Sequence, residues 1–102
     1  MSIFQDLLKE EIKRLGELKK KYENEIESFP KGALSKKIRN GKPYLYLAYR
    51  EKDKVKFEYI GKEDSEKVQK IKELIIKRQN INQKLKQVNK ELKELLKSVH
   101  ER

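Results

Sequence analysis

Residues 41–62 read GKPYLYLAYREKDKVKFEYIGK, and their period decides the fold. Tyr44, Tyr46, Tyr49, Phe57 and Tyr59 are set among Lys42, Arg50, Lys52, Lys54, Lys56 and Lys62. Side chains here alternate in character at every second residue, as on a strand, and not at every third or fourth, as on a helix. Upstream, ALSKKIR is joined to YLYLAYR through Asn40-Gly41, the dipeptide that most strongly marks a short hairpin because both positions accept positive φ. The spacing predicts a three-stranded antiparallel meander over residues 33–39, 44–50 and 55–60. Its turns fall at Asn40-Gly41 and Lys52-Asp53, Pro43 is tolerable at a strand start, and Gly61 ends the last strand.

With those turns, alternation sorts the strands into two faces. One collects Lys37, Arg39, Tyr44, Tyr46, Ala48, Arg50, Val55, Phe57 and Tyr59; the other collects Leu34, Ile38, Leu45, Leu47, Tyr49 and Ile60, with Lys36, Lys56 and Glu58. The aliphatic face suits packing on helices, which leaves the ring face for a partner. Rings stack on bases or pack on sugars, and cations take phosphates. Two alternatives stay open at this point: alternate aromatics also serve as half-buried cross-strand packing, and a one-residue slip in register would exchange the faces.

Both flanks of the meander have helical periodicity. At the N-terminal side, Phe4, Leu8, Leu15, Leu18, Tyr22 and Phe29, widened by Ile12 and Ile26, predict an amphipathic helix over 2–27. Ser2 can cap it, with Gln5 three residues on, and Pro30 ends it. At the C-terminal side, Ile71, Leu74, Arg78, Ile81, Leu85, Val88, Leu92, Leu95 and Val99 step alternately by three and four, a heptad seam interrupted only by Arg78. Capped by Asp64 or Ser65, this helix is expected over 66–100. The first helix is the nearest cover for the seam, and a homodimer could complete or replace that pairing. The expected fold is therefore α+β within one domain, 1–102: a long antiparallel helical hairpin, or coiled coil, with the meander between its helices.

Charge points to the class of partner. The chain has 102 residues, 35% hydrophobic and 43% charged, a net charge of +10 and a pI near 9.7. So little apolar material makes only a thin core. The cations favour a polyanion, nucleic acid ahead of an anionic membrane, because they displace condensed counterions. Residues 31–62 carry ten bases against three acids, hence +7 of the +10. A second basic run, KRQNINQKLKQVNK at 77–90, contains Lys77 and Lys84; it reads either as a solvated helix face or as a second phosphate contact. Arg78 either fixes register in the seam or lets its head reach solvent or a phosphate. No apolar run of 18 residues or signal-peptide order is present, and there is no cysteine, so the expected location is cytoplasmic.

Catalysis finds little material. The one histidine, His100, falls near the end of the chain and reads as exposed polar surface. With a single histidine and no cysteine, neither a nucleophile–base pair nor a histidine metal cluster is expected in one chain. Gly61-Lys62 lacks the remaining glycine and the Ser/Thr of a phosphate-binding loop and reads as a strand-to-helix turn. Scattered acids among lysines read as helix-supporting pairs. No enzyme activity, metal or cofactor is expected.

Residues 31–62, KGALSKKIRNGKPYLYLAYREKDKVKFEYIGK, resemble the three-stranded basic aromatic sheet modules of mobile-element proteins, such as the arm-type DNA-binding domains of tyrosine integrases and the N-terminal hairpins of some transposases. They are also similar to small prokaryotic and phage proteins that join such a meander to a coiled coil. In the integrase modules the sheet enters the DNA major groove. By position the resemblance implies Lys37, Arg39, Tyr44, Tyr46, Arg50, Lys54 and Lys56 as contacts, to which the basic aromatic pattern adds Tyr59, Lys77 and Lys84. The chain departs from those modules in having long helices and no catalytic domain. The leading expectation is a non-enzymatic nucleic-acid-binding protein, DNA ahead of RNA. The alternative is a protein-interaction module, such as a mobile-element inhibitor or regulator acting through the coiled coil.

Overall fold

A computed structural model describes residues 2–100; the side chain of His100 lies outside that description. The elements run α1 (Ile3–Glu27), β1 (Ala33–Arg39), β2 (Lys42–Glu51), β3 (Lys54–Lys62) and α2 (Glu66–His100). This is the expected α+β arrangement, an antiparallel helical hairpin with a three-stranded meander between its helices. The chain divides into two compact units, one made of α1 with α2 from Gln79 onward, the other of Phe29–Arg78.

In the helical unit, Ser2 starts α1: its Oγ accepts from the Gln5 amide at 3.2 Å, satisfying a donor that has no partner within the helix. Ser28 ends it, its hydroxyl donating to the Glu25 carbonyl at 2.6 Å. Leu15 and Val88 are buried as their places in the two stripes require. The first turns of α1 behave otherwise. Phe4, expected within the stripe, is 69% exposed, and Ile3 and Leu7 beside it are also open. Glu11 and Arg14, one turn apart on the exposed surface, form an ion pair in which the hydrogen bond from Arg14 holds the Glu11 carboxyl below its ordinary range.

The sheet unit has strand order β1-β2-β3, all antiparallel. Both connections are two-residue loops with positive φ, 53° and 75° at Asn40-Gly41 and 49° and 66° at Lys52-Asp53, the twist that suits a tight hairpin. Register pairs Leu34 with Leu47 and Ala48 with Phe57. Leu45, Leu47 and Ile60 are buried and pack with Val68 of α2, with Leu34, Tyr49, Ile71 and Ile75 partly buried around them. The stripe of α2 thus serves the sheet in its first turns. Val68, the most deeply buried of these side chains, lies three residues before Ile71 and one residue off the heptad seam read from the sequence, which would run back to Lys67. Ser65, of the two candidate caps, begins α2 by accepting from the Val68 amide at 3.3 Å, and so ties helix start to core.

Two details refine this picture. Between Leu45 and Tyr46 the β2–β3 register shifts, Leu45 facing Gly61 while Tyr46 faces Tyr59, so Ile60 is an extra residue on β3. Both Ile60 and Gly61 are then buried, and Lys62 comes out opposite Tyr44. Ile38, assigned to the aliphatic face, is on that side but 70% exposed. It is the penultimate residue of an outer strand, beside the turn, where the helix side chains do not cover it. At the other end of β1, Gly32 has φ +101°, and a Cβ there would lie 2.1 Å from the Ala48 carbonyl oxygen, so the entry to the sheet requires glycine.

Candidate nucleic-acid interface

The outer face of the sheet is built by the residues that alternate with the core. Strand β1 contributes Ala33, Ser35, Lys37 and Arg39; β2 contributes Lys42, Tyr44, Tyr46, Ala48 and Arg50; β3 contributes Val55, Phe57, Tyr59 and, past the bulge, Lys62. Five of these are cations and, among the described residues of this face, none is an acid. The acids of the strands, Glu51 and Glu58, are paired in register with Lys54 and Leu47 on the opposite face. Val55, Phe57 and Tyr59 are about half exposed, at 55%, 50% and 51%. A large apolar surface edged by one sign of charge is not what a sheet needs for its own stability.

The rings form a connected cluster. Tyr46 meets Tyr59 edge-on at 5.4 Å between centroids and 62° between planes, and Tyr44 lies tilted against the same ring at 6.2 Å. Such tilted pairs suit the quadrupoles of the rings. Lys37 Nζ stands 4.8 Å from the centre of Tyr46 and 4.3 Å from that of Phe57, so one ammonium covers two rings. At the hairpin end, Arg39, Asn40, Tyr44, Tyr46 and Tyr59 line an open depression of about 320 Å³.

Six of the expected site residues, Lys37, Arg39, Tyr44, Tyr46, Arg50 and Tyr59, come together on this face. The others do not join them. Lys54 and Lys56 pair with Glu51 and Tyr49 and so point to the opposite side of the sheet, where Lys56 also forms an ion pair with Glu51 at 3.2 Å. Lys77 is an exposed residue of α2 within the sheet unit, and Lys84 belongs to the helical unit. Lys42 and Lys62 were missed. Alternation from Tyr44 could have found the first; the second is hidden by the bulge, which a strict period of two does not register.

A larger cavity of about 640 Å³, at the start of β2 and the end of β3, is lined by Lys42, Lys62 and Lys72 but also by Glu63 and Asp64. Its mixed charge, with Glu63 ion-paired to Lys36 at 3.3 Å, suits a polyanion less than the acid-free ring face does. Arg78 turns its head to the main chain, a partner neither of its two readings named: its Nη1 donates to the Pro30 carbonyl at 3.4 Å and its Nε is buried without a partner. Among the described residues no group of three or more His, Asp or Glu could hold a metal, and no helix is long and apolar enough to cross a membrane.

Fold and face together define a small α+β protein whose two helices flank a basic, ring-bearing sheet. The family model for the domain of unknown function DUF6788 matches residues 8–70, more than half of the chain, and the chain belongs to that family. The matched segment runs from α1 through the whole sheet into the first turns of α2, and so contains every residue of the ring face. No curated protein and no solved structure matches the chain.

Proposed function

We propose that this protein binds nucleic acid, DNA ahead of RNA, through the ring face of its sheet, and that it does so without catalysing a reaction of its own. The observation that carries this reading is the segregation of charge: Lys37, Arg39, Lys42, Arg50 and Lys62 share a face with half-exposed rings, while the strand acids lie on the other side. The resemblance of residues 31–62 to integrase sheet modules supports the same reading. Binding measured by fluorescence anisotropy with duplex DNA, single-stranded DNA and RNA should weaken linearly on a log–log salt plot. Five neutralised phosphates correspond to a slope of about −3.5 for a single strand and about −4.5 for a duplex. Failure to bind any of the three at low salt overturns the reading.

A second reading has its own observation. Ile3, Phe4 and Leu7 in the first turns of α1, and Leu96 and Val99 in the last turns of α2, are exposed at 80%, 69%, 58%, 45% and 37%. Apolar surface of this kind suits a protein partner, including the regulatory or inhibitory role in a mobile element expected from the coiled coil. An affinity for such a partner that barely responds to salt, with no nucleic-acid binding, would favour this reading over the first.

A further inference from the structure

The ring face offers more than charge, and its geometry discriminates between forms of nucleic acid. In a duplex the flat faces of the bases are covered by their neighbours, so a protein meets phosphates and base edges. An unpaired strand presents a π-face at every nucleotide, which is the surface an aromatic ring can cover. The side chains on this face include three tyrosines and a phenylalanine, and its strands offer Arg and Lys, which can read guanine edges, but no Asn, Gln, Asp or Glu for adenine or cytosine.

The rings are not equivalent. Lys37 covers Tyr46 and Phe57, and Tyr46 turns its plane 62° from that of Tyr59. Tyr59, half exposed like Phe57, has Tyr44 and Tyr46 standing tilted beside it. The same depression is lined by Arg39, whose guanidinium suits a phosphate, and by Asn40, at φ 53° in the turn, whose amide can both donate to and accept from a base edge. Its volume of about 320 Å³ is at the small end of the range for ligand pockets.

We propose that the face binds an unpaired strand, with one base resting on Tyr59 between Tyr44 and Tyr46, Asn40 at its edge and Arg39 on the adjoining phosphate. This rests on the nucleic-acid reading above, specifies the form that the site takes, and departs from the major-groove binding of the integrase modules that residues 31–62 resemble. The test uses the full chain and three probes of equal length at fixed salt: oligothymidylate, the same backbone without bases, and a duplex. Oligothymidylate should bind at least about tenfold more tightly than either of the others. Tyr59→Ala should weaken oligothymidylate binding by about 5- to 150-fold, the loss expected for one stacked base, while Tyr59→Phe keeps it and duplex binding changes less than twofold.

If the duplex binds as tightly as the unpaired strand, or the base-free strand as tightly as oligothymidylate, the stacking subsite is overturned and charge-driven binding survives. If none of the probes binds, both readings fall. The comparison of strands with and without bases needs only the unaltered protein, so it decides the matter even if Tyr59→Ala does not fold.

Discussion

The two sides of one small sheet follow opposite rules. On one, Leu45, Leu47 and Ile60 are buried against Val68, and the charged residues at the margin find partners: Lys36 with Glu63, Lys56 with Glu51. On the other, Phe57 and Tyr59 stay half open and Lys37 turns onto rings in place of a carboxylate. Since these residues alternate along the same three strands, neither composition nor strand propensity separates them. What separates them is what each face has to satisfy. The inner face completes a core within the chain, whereas the outer one, among the described residues, has five cations with no acid on the same face and apolar area half in water, which a polyanion bearing flat bases would complement.

This contrast can be broken most severely from the inside. Leu47→Ala should cost about 2–5 kcal/mol of the stability of the sheet unit, whereas Phe57→Ala, removing a ring already half in water, should cost under about 1 kcal/mol. Chemical denaturation of both variants checks it, and equal losses would mean that the rings are core. Gly32→Ala comes next. Left-handed backbone strain alone should cost about 1–3 kcal/mol, beyond the clash with Ala48, so stability and binding should fall together.

Smaller again is the effect of charge on the outer face. Arg39→Ala and Arg50→Ala should each reduce the salt slope by about 0.7–0.9 with melting temperature unchanged. Slopes equal to that of the parent would exclude those side chains from phosphate contact.

The smallest effect belongs to the helical unit. The hydrogen bond from Arg14 lowers the Glu11 pKa in the folded state, so the stabilisation is present above the ordinary carboxylate pKa and lost as pH falls through the lowered value. Glu11→Gln should slightly flatten the acid limb of a stability–pH curve and leave ring-face binding as it was. A steeper acid limb would contradict the pairing.

Most of this architecture was legible because local signals agreed with one another. Asn40-Gly41 fixed one turn, and the alternation of YLYLAYR against VKFEYI then required the other at Lys52-Asp53. Ser2 announced the first helix start and Asp64-Ser65 the second, with the choice between those two left to the structure. What escaped depended on non-local packing. The extra residue at Ile60 leaves the hydrophobic pattern unchanged yet moves Lys62 to the outer face. Val68 is central because the sheet lies against it, which the heptad spacing from Ile71 onward does not reveal. Lys54 and Lys56 were grouped with the rings by the resemblance to integrase modules, although alternation alone already set Lys56 on the aliphatic face, and one residue along a strand means the opposite side of the sheet.

Those two lysines have a consequence of their own. β3 is an outer strand, and the amides and carbonyls along its free side form a template on which another extended chain could assemble. A segment with four aromatic or branched residues in six, VKFEYI, would be an aggregation hazard if bare. Lys54, Lys56 and Glu58 place a charge at every second position between those residues, so that adding a strand at this edge would strip water from charge after charge. The side of the sheet that takes no part in the ring face thus sets charge against strand addition along the very strand that displays its rings.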